Sequence, residues 1–381
     1  MPLRSFMRAF RAYGPALALL APLACKSALT VTRINSDEKK PNNVWVFFTV
    51  EGEGEPVAGL QAEDFDIYED DALVSRFESK QVIQNPEVAA VMYTLLLLDM
   101  SGSITESGEA DNVVDAAHLF SEKVGETQKV GVYAFDGGKD IYSVVRFTEA
   151  KASVDGGLDG LRRYVPKDPS TNLHGAVIQG LEVLDKALSK DKRPLKFGTL
   201  VVFTDGTDRA HRVPEEDMVE ALGDEKYANY EIYVIGVGAE IEEGSMKTIG
   251  RDGTELATDE AKVQEAFTRV ADRIDRHARR FYLLSYCTPS RSGSHTVRIE
   301  AKMTNEKGKE AGSGSLSYEF ETDGFGPPPE CDPQRAPAFR LDKNLEPAPE
   351  SEEADGGKSR RKSKASGSAS FGKPAAPGSG E

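Results

Sequence analysis

Cysteine is scarce in this chain: Cys25, Cys287 and Cys331 are the only three among 381 residues. None of them, and none of the five histidines (His118, His174, His211, His277 and His295), has a Cys or His neighbour at the spacing of a zinc site, which argues against a structural zinc module. Beyond the first 25 residues no apolar stretch approaches the roughly 20 residues that a membrane-spanning helix needs. A Gly-x-Ser-x-Gly elbow is missing, so a Ser–His–Asp hydrolase is disfavoured. Phosphate loops and dinucleotide fingerprints are missing too; Gly236-Val-Gly238 lacks the third glycine and is explained by a strand-end turn. No internal repeat is visible. Nor is there an excess of basic residues. The formal net charge is −16, and a general nucleic-acid binder needs clustered Lys and Arg to hold phosphates, so nucleic acid is not an expected partner.

The two ends differ from the middle. Arg4, Arg8 and Arg11 precede the short apolar run Ala16–Ala24, which reads as a secretory signal over residues 1–25. Pro22-Leu-Ala-Cys25 resembles a bacterial lipobox, with Pro22 where Leu is usual. That resemblance implies a lipid on Cys25 and a membrane anchor; the alternative is an ordinary cleaved signal with an incidental cysteine. With Cys25 set aside, Cys287 and Cys331 form an even pair and a candidate disulfide, two free thiols being the other reading. From Gly326 the chain runs through Pro327-Pro-Pro329, an acidic stretch at Glu350–Asp355 and a basic run at Lys358–Lys364. Residues 325–381 are therefore expected to be a disordered tail, too poor in apolar groups to offset ordering entropy. Its basic run reads as a solvated segment, or as one that touches anionic surfaces.

Between the ends, two patterns alternate. Residues 29–88 carry short strand-like runs, Val44–Val50, Leu60–Tyr68, Leu73–Phe77 and Val82-Ile83, separated by Gly, Pro, Asp and Asn. They predict a small β domain of Ig-like, sandwich type. From residue 90 to 280 the runs become continuous: Val91–Leu98, Val130–Phe135, Gly198–Phe203 and Ile232–Val237. Strands apolar on both faces belong in a parallel sheet covered on both sides. Helically spaced apolar residues lie between them, around 113–124, 176–188 and 263–274 within a last helix at 259–280. The expected fold class is α/β, a doubly wound, mostly parallel sheet. Strand-like runs at 281–324 are expected to be a short β extension that packs on the N-terminal β domain.

In such sheets ligands bind at the carboxyl ends of the strands. The first buried strand ends in Asp99-Met-Ser-Gly-Ser103; a loop before a helix offers Thr171; the strand 198–203 ends in Phe-Thr-Asp205-Gly. Alternate Asp, Ser and Ser around a flexible glycine can aim three oxygens at one point, and oxygen donors suit a hard cation. Asp99, Ser101, Ser103, Thr171 and Asp205 match the metal-ion-dependent adhesion site (MIDAS) of the von Willebrand factor A family, and residues 90–280 resemble that domain. Pro56–Leu60 followed by Asp64–Asp70 resembles the β module that often precedes it in bacterial surface proteins.

The resemblance implies Mg²⁺, or Mn²⁺ or Ca²⁺, with the three hydroxyls touching the ion and the two carboxylates acting directly or through water. Two carboxylates balance the ion's charge and leave a coordination position open, where a partner protein's Asp or Glu would bind. The expected function is a non-enzymatic, metal-dependent protein-binding or adhesion module, lipid-anchored at the bacterial cell envelope or else secreted or periplasmic. The alternatives are a structural or regulatory subunit of an envelope complex, in which the metal is structural, and a metal-dependent hydrolase, for which no general base or nucleophile is paired with the site.

Overall fold

Strand-forming sequence recurs along the chain, and the structure, a computed structural model, joins its first and last stretches into one β body. The described residues are 27–238, 243–258, 262–305, 308–326, 330–337 and 339. The leader with Cys25, and the acidic and basic runs of the tail, lie outside them.

The first stretch holds β1 (Ser27–Lys39), β2 (Asn43–Gly52), β3 (Glu55–Pro56), β4 (Phe65–Glu69), β5 (Ala72–Leu73), the single-turn α1 (Arg76–Ser79) and β6 (Val82–Gln84). The middle runs β7 (Ala90–Asp99), α2 (Gly102–Thr105), α3 (Ala110–Val124), β8 (Lys129–Phe135), β9 (Tyr142–Thr148), α4 (Lys151–Leu161), α5 (Leu173–Leu188), β10 (Leu195–Thr204), α6 (Glu215–Leu222), β11 (Glu231–Val237), α7 (Glu243–Ile249), β12 (Gly253–Ala257) and α8 (Val263–Ala278). The chain then returns to strands in β13 (Phe281–Cys287), β14 (Ser294–Thr304) and β15 (Glu310–Glu321). Among the described residues, no helix is long and apolar enough to cross a membrane.

The middle stretch is the expected doubly wound α/β fold. Its sheet has the order β12-β11-β10-β7-β8-β9, parallel throughout except that β9 runs against β8. The apolar run of β7 divides by alternation: Leu95 and Leu97 pack with Val177, Leu181 and Leu184 of α5, whereas Leu96 and Leu98 pack with Phe120 of α3 and Phe267 of α8. From β7 the chain moves outward through β8 to β9, then crosses back to place β10 on the other side of β7. The loops leaving the carboxyl ends of β7 and β10 therefore diverge, and a crevice opens between them.

The strands of the expected extension at 281–324 are built into the same sheets as those of the expected domain at 29–88. Strand order is β5-β4-β14-β15-β1-β2-β13-β6, with β3 on β2. β14 lies between β4 and β15, and β13 between β2 and β6. Neither stretch closes a sheet alone: β4 finds its second neighbour in β14, and residues 43–49 of β2 are paired on their second side by β13. The core is shared accordingly: Phe48, Phe65 and Ile67 pack with Tyr282, Tyr286, Val297 and Ile299. On β2, Val44, Val46 and Phe48 face this core, and Trp45 and Phe47 face the α/β body, where Ala90, Leu195, Phe281 and Phe339 cover them. The expected strand around Leu73–Phe77 ends at Leu73; Phe77 lies on α1, 93% exposed.

Residues 330–337 and 339, within the stretch expected to be tail, are described against the β body. Cys331 is disulfide-bonded to Cys287, and the residues after it lie along the β body. Asn43 Nδ2 donates to the Asp332 carbonyl at 2.6 Å, Ser285 Oγ to that of Pro333 at 2.7 Å, and Trp45 Nε1 to that of Arg335 at 2.8 Å. Phe339 is buried. This segment has few apolar side chains of its own; it is held by a covalent tie and by donors projecting from the body onto its carbonyls, features that composition does not report.

Candidate metal centre

Asp99 is the last residue of β7 and is fully buried. Its Oδ1 accepts the Ser101 amide at 3.0 Å, turning the chain back on itself, and its Oδ2 accepts the Thr204 hydroxyl at 2.8 Å. Both donors are neutral. Burial, and after it the charge of Asp205, push the Asp99 carboxyl up to about 7, while the bonds from Thr204 and Ser101 pull the other way. The two carboxylates are thus close enough to repel inside a site poor in water, a cost that a divalent cation would offset.

The loop after Asp99 sets Ser101 Oγ 3.1 Å from Ser103 Oγ. Ser101 is buried and Ser103 exposed, so the pair leads from the interior to the surface. Gly102, between them, donates its amide to the Pro169 carbonyl at 2.9 Å. A Cβ at Gly102 would lie 2.9 Å from Pro169 Cβ, closer than real Cβ atoms come, so only glycine permits this approach.

Pro169 belongs to the loop that carries Thr171, which is buried. The Thr171 carbonyl in turn accepts the amides of Arg209 and Ala210, both at 2.9 Å, from the loop that follows Asp205. Three loops are therefore bonded in a closed ring: the first to the second through Gly102 and Pro169, the second to the third through Thr171, and the third to the first through Thr204 and Asp99. The structure brings together the loops of all five sequence-predicted residues, Asp99, Ser101, Ser103, Thr171 and Asp205.

Four further residues support this ring and escaped the sequence reading. Thr204 closes it. Asp136, just past β8, is buried: Oδ1 accepts the Gly138 amide at 2.7 Å, and Oδ2 accepts the Tyr164 hydroxyl at 2.9 Å and the Lys167 amide at 2.8 Å. Burial and the Asp136 carboxylate raise the Tyr164 hydroxyl well above its ordinary range, so it remains a donor. Asn172 donates its amide to the Asp136 carbonyl at 3.1 Å and its side chain to that of Gly138 at 2.8 Å. Asp208 accepts the backbone amides of His174 at 3.2 Å and His211 at 2.9 Å. His174 is partly buried, and its Nδ1 lies 3.0 Å from the Val213 carbonyl. One signal was available for Asp136: an acid directly after an apolar strand, the logic that singled out Asp99.

Among the described residues, no group of three or more His, Cys, Asp or Glu gathers as a metal site. What gathers is a carboxylate pair with hydroxyls. That donor set fits a hard divalent cation and not the nitrogen and sulfur preference of structural zinc sites.

Residues 94–207 match the von Willebrand factor type A domain family. No curated protein matches the chain. Solved structures with a similar fold include proximal thread matrix protein 1 of the mussel byssus, with a zinc-occupied MIDAS motif (16% identity, 48% of each chain covered, TM-score 0.40). A von Willebrand factor type A protein from Catenulispora acidiphila aligns at 11% identity over 79% of this chain and 74% of its own, with a TM-score of 0.40. The domain of the type V pili tip protein Mfa5 from Porphyromonas gingivalis aligns at 11% identity over 50% of this chain and 97% of its own, with a TM-score of 0.38. This chain spans about half the length of the mussel protein.

Proposed function

We propose, from the premise that residues 94–207 form a von Willebrand factor type A domain, that this chain is a divalent-cation-dependent protein-binding module. Asp99, Ser101, Ser103, Thr171 and Asp205 would hold the ion, with Mg²⁺ the first candidate and Mn²⁺ or Ca²⁺ the others. A carboxylate from a partner protein would complete its coordination. The observation that carries this reading is the closed ring of protein bonds. The loops are tied to one another by Gly102–Pro169, Thr171–Arg209 and Asp99–Thr204 without help from an ion. An ion placed there is not needed as a staple, which favours a docking role over a structural one. The chemistry is that of binding: Asp136 and Asp208, the nearby acids, are engaged by backbone amides and the Tyr164 hydroxyl, and Asp99 by Ser101 and Thr204.

The Cys287–Cys331 disulfide supports a location outside the cytoplasm, since such bonds persist in oxidising compartments. The leader and Cys25 support the same reading, a module of a bacterial cell envelope, lipid-anchored or else secreted or periplasmic. Calorimetric titration of the full chain with Mg²⁺ tests the site: wild type should bind, Asp99→Ala should not. A Glu-containing peptide should bind only with the ion present. Wild type that takes up no divalent ion, or peptide binding untouched by EDTA, would sink the proposal. Palmitate incorporation that vanishes in Cys25→Ser tests the anchor.

A further inference from the structure

The turn that closes the ring also walls a cavity. Thr204 donates its hydroxyl to Asp99 at 2.8 Å, and Thr204, Gly206 and Thr207 line one side of a cavity of about 410 Å³. Its floor is apolar. Leu173 opens α5, Val234 lies in β11, and Met246 and Ile249 lie on α7; all four are at most 4% exposed and belong to the core between the sheet and these helices. The mouth is edged by the loop before α6, with Val213 half-buried and Pro214 exposed. The polar groups beside it are engaged or turned to solvent: Asp208 accepts the His174 and His211 amides, His174 Nδ1 faces the Val213 carbonyl, and the His211 side chain is 83% exposed. Charge at the mouth is acidic. Glu215 lines it and Glu216 and Asp217 follow, all exposed, while Arg212 is paired with Asp168 and Arg209 has a partner of its own. A second carboxylate would be repelled there, and an uncharged apolar side chain would not.

We infer that the partner that brings a carboxylate to the ion also buries an apolar side chain, of leucine, methionine or phenylalanine size, in this cavity; this rests on the metal-site reading above. The metal position and the cavity are neighbours along one turn, since Asp205 stands between Thr204 and Gly206, which both line the cavity. Residues two apart in an extended chain lie about 7 Å from each other and project to the same side. A carboxylate on the ion therefore carries the residue two places along to the mouth beside Thr207. That continuity selects the occupant. An apolar group tethered by the ionic contact enters at a high effective concentration, whereas a free apolar molecule would have to be held by the floor alone. The carboxylate fixes position, and burial of the apolar side chain distinguishes this partner from the many proteins that expose an Asp or Glu.

Two labelled peptides of equal length test it by fluorescence anisotropy against the full chain with Mg²⁺. Each carries a single Glu in a Ser-Gly background; one has Leu two residues before and two residues after the Glu, the other has Ser at both places. The Leu peptide should bind about tenfold more tightly, the effect of burying one leucine. In Val213→Trp, whose larger side chain narrows the mouth, the ratio should fall toward one while Mg²⁺ and the Ser peptide bind as in wild type. A second readout needs no blocked variant. The methyl resonance of Met246, assigned through Met246→Leu, should move with the Leu peptide and stay in place with the Ser peptide. Equal binding of both peptides, lost in EDTA, would overturn the inference and leave the metal site standing. So would a tightly bound Leu peptide that leaves the Met246 resonance where it was. Leu-peptide binding that survives EDTA and Asp99→Ala and still moves Met246 would uphold the cavity and sink the metal-site reading. Failure of both peptides to bind the Mg²⁺-loaded protein would overturn both. N-acetyl-leucine amide that moves Met246 at the concentrations at which the Leu peptide does would overturn the assignment to a tethered side chain.

Discussion

Gly102 and Pro169 are in direct contact: the glycine amide donates to the proline carbonyl at 2.9 Å, and no side chain fits between them. The contact joins the Ser101–Ser103 pair to the loop of Thr171. In Gly102→Ala the new methyl pushes the two loops apart, because the neighbouring atom is a ring carbon on a stiff residue. The variant should lose about 1–2 kcal/mol of stability and bind Mg²⁺ roughly tenfold more weakly. Denaturant melts and calorimetric titration check the two effects, and Mg²⁺ binding at wild-type strength would show that the two loops need not be in register.

Asp99 gives the site a pH dependence that metal should erase. Its carboxyl rises from the ordinary 3.8 to about 7, so the folded state holds that proton more tightly than the unfolded state does. Stability from this group is fully present at low pH and is lost as pH climbs from about 4 to about 7. Asp99→Asn removes the charge and keeps the shape. In EDTA at about pH 8 the variant should be more stable than wild type by about 2 kcal/mol. With Mg²⁺ the order reverses, since wild type alone gains from the ion. Chemical denaturation across this range, with and without Mg²⁺, measures both. Mg²⁺ affinity of wild type should also fall below neutral pH, up to about tenfold per pH unit, as protons compete for the carboxylate.

These residues show where the sequence is readable. β7, β8, β10 and β11 stand out because sheets covered on both faces demand unbroken apolar runs such as Leu95–Leu98. Asp99, Ser101, Ser103, Thr171 and Asp205 stand out as a pattern spread over three strand ends. Thr204, Asn172 and Asp208 do not, since any loop contains short polar residues that cap its amides. α4 is obscured by Gly156, Gly157 and Gly160, poor helix formers. Yet Gly157 is required, because a Cβ there would lie 2.2 Å from a Val145 methyl of β9. The β body is obscured for another reason. β14 pairs with β4 across more than two hundred residues, and alternation within a strand says which face is buried but not which strand lies alongside.

The disulfide has its own readout. Trp45 is the only tryptophan, and its Nε1 donates to the Arg335 carbonyl at 2.8 Å in the segment that Cys331 ties down. Cys331→Ser frees that segment and opens a 44-residue loop in sequence. Stability should drop by about 3 kcal/mol. Tryptophan emission should shift to the red and become more open to acrylamide as the segment with Phe339 lifts away. An unchanged spectrum would mean that the carbonyl bonds alone keep residues 332–335 in place.

Arg280 links the two bodies and predicts how they unfold. It sits between α8 and β13, with Nη1 2.8 Å from Glu51 of β2 and Nη2 3.5 Å from Glu231 of β11. Its own carbonyl accepts the Val50 amide at 3.2 Å. Burial alone would raise the Glu231 carboxyl, but the His277 ring at 2.8 Å, followed by Arg280, outweighs it and holds the group below its ordinary value. A depressed carboxyl contributes stability above its unfolded value of 4.5 that is lost as pH falls through the folded one. Arg280→Met keeps the stem that packs beside Phe281 and removes both ionic contacts. Glu231 keeps His277 as a partner, so the cost should be about 2 kcal/mol, below that of a fully orphaned buried charge. The larger effect should be on cooperativity. Trp45 fluorescence follows the β body and far-ultraviolet circular dichroism follows mainly the helices of the α/β body. The two should unfold together in wild type and separate in the variant, even though Phe47, Phe197 and Phe281 still pack against one another. Coincident transitions in Arg280→Met would show that this aromatic contact alone makes the two bodies one folding unit.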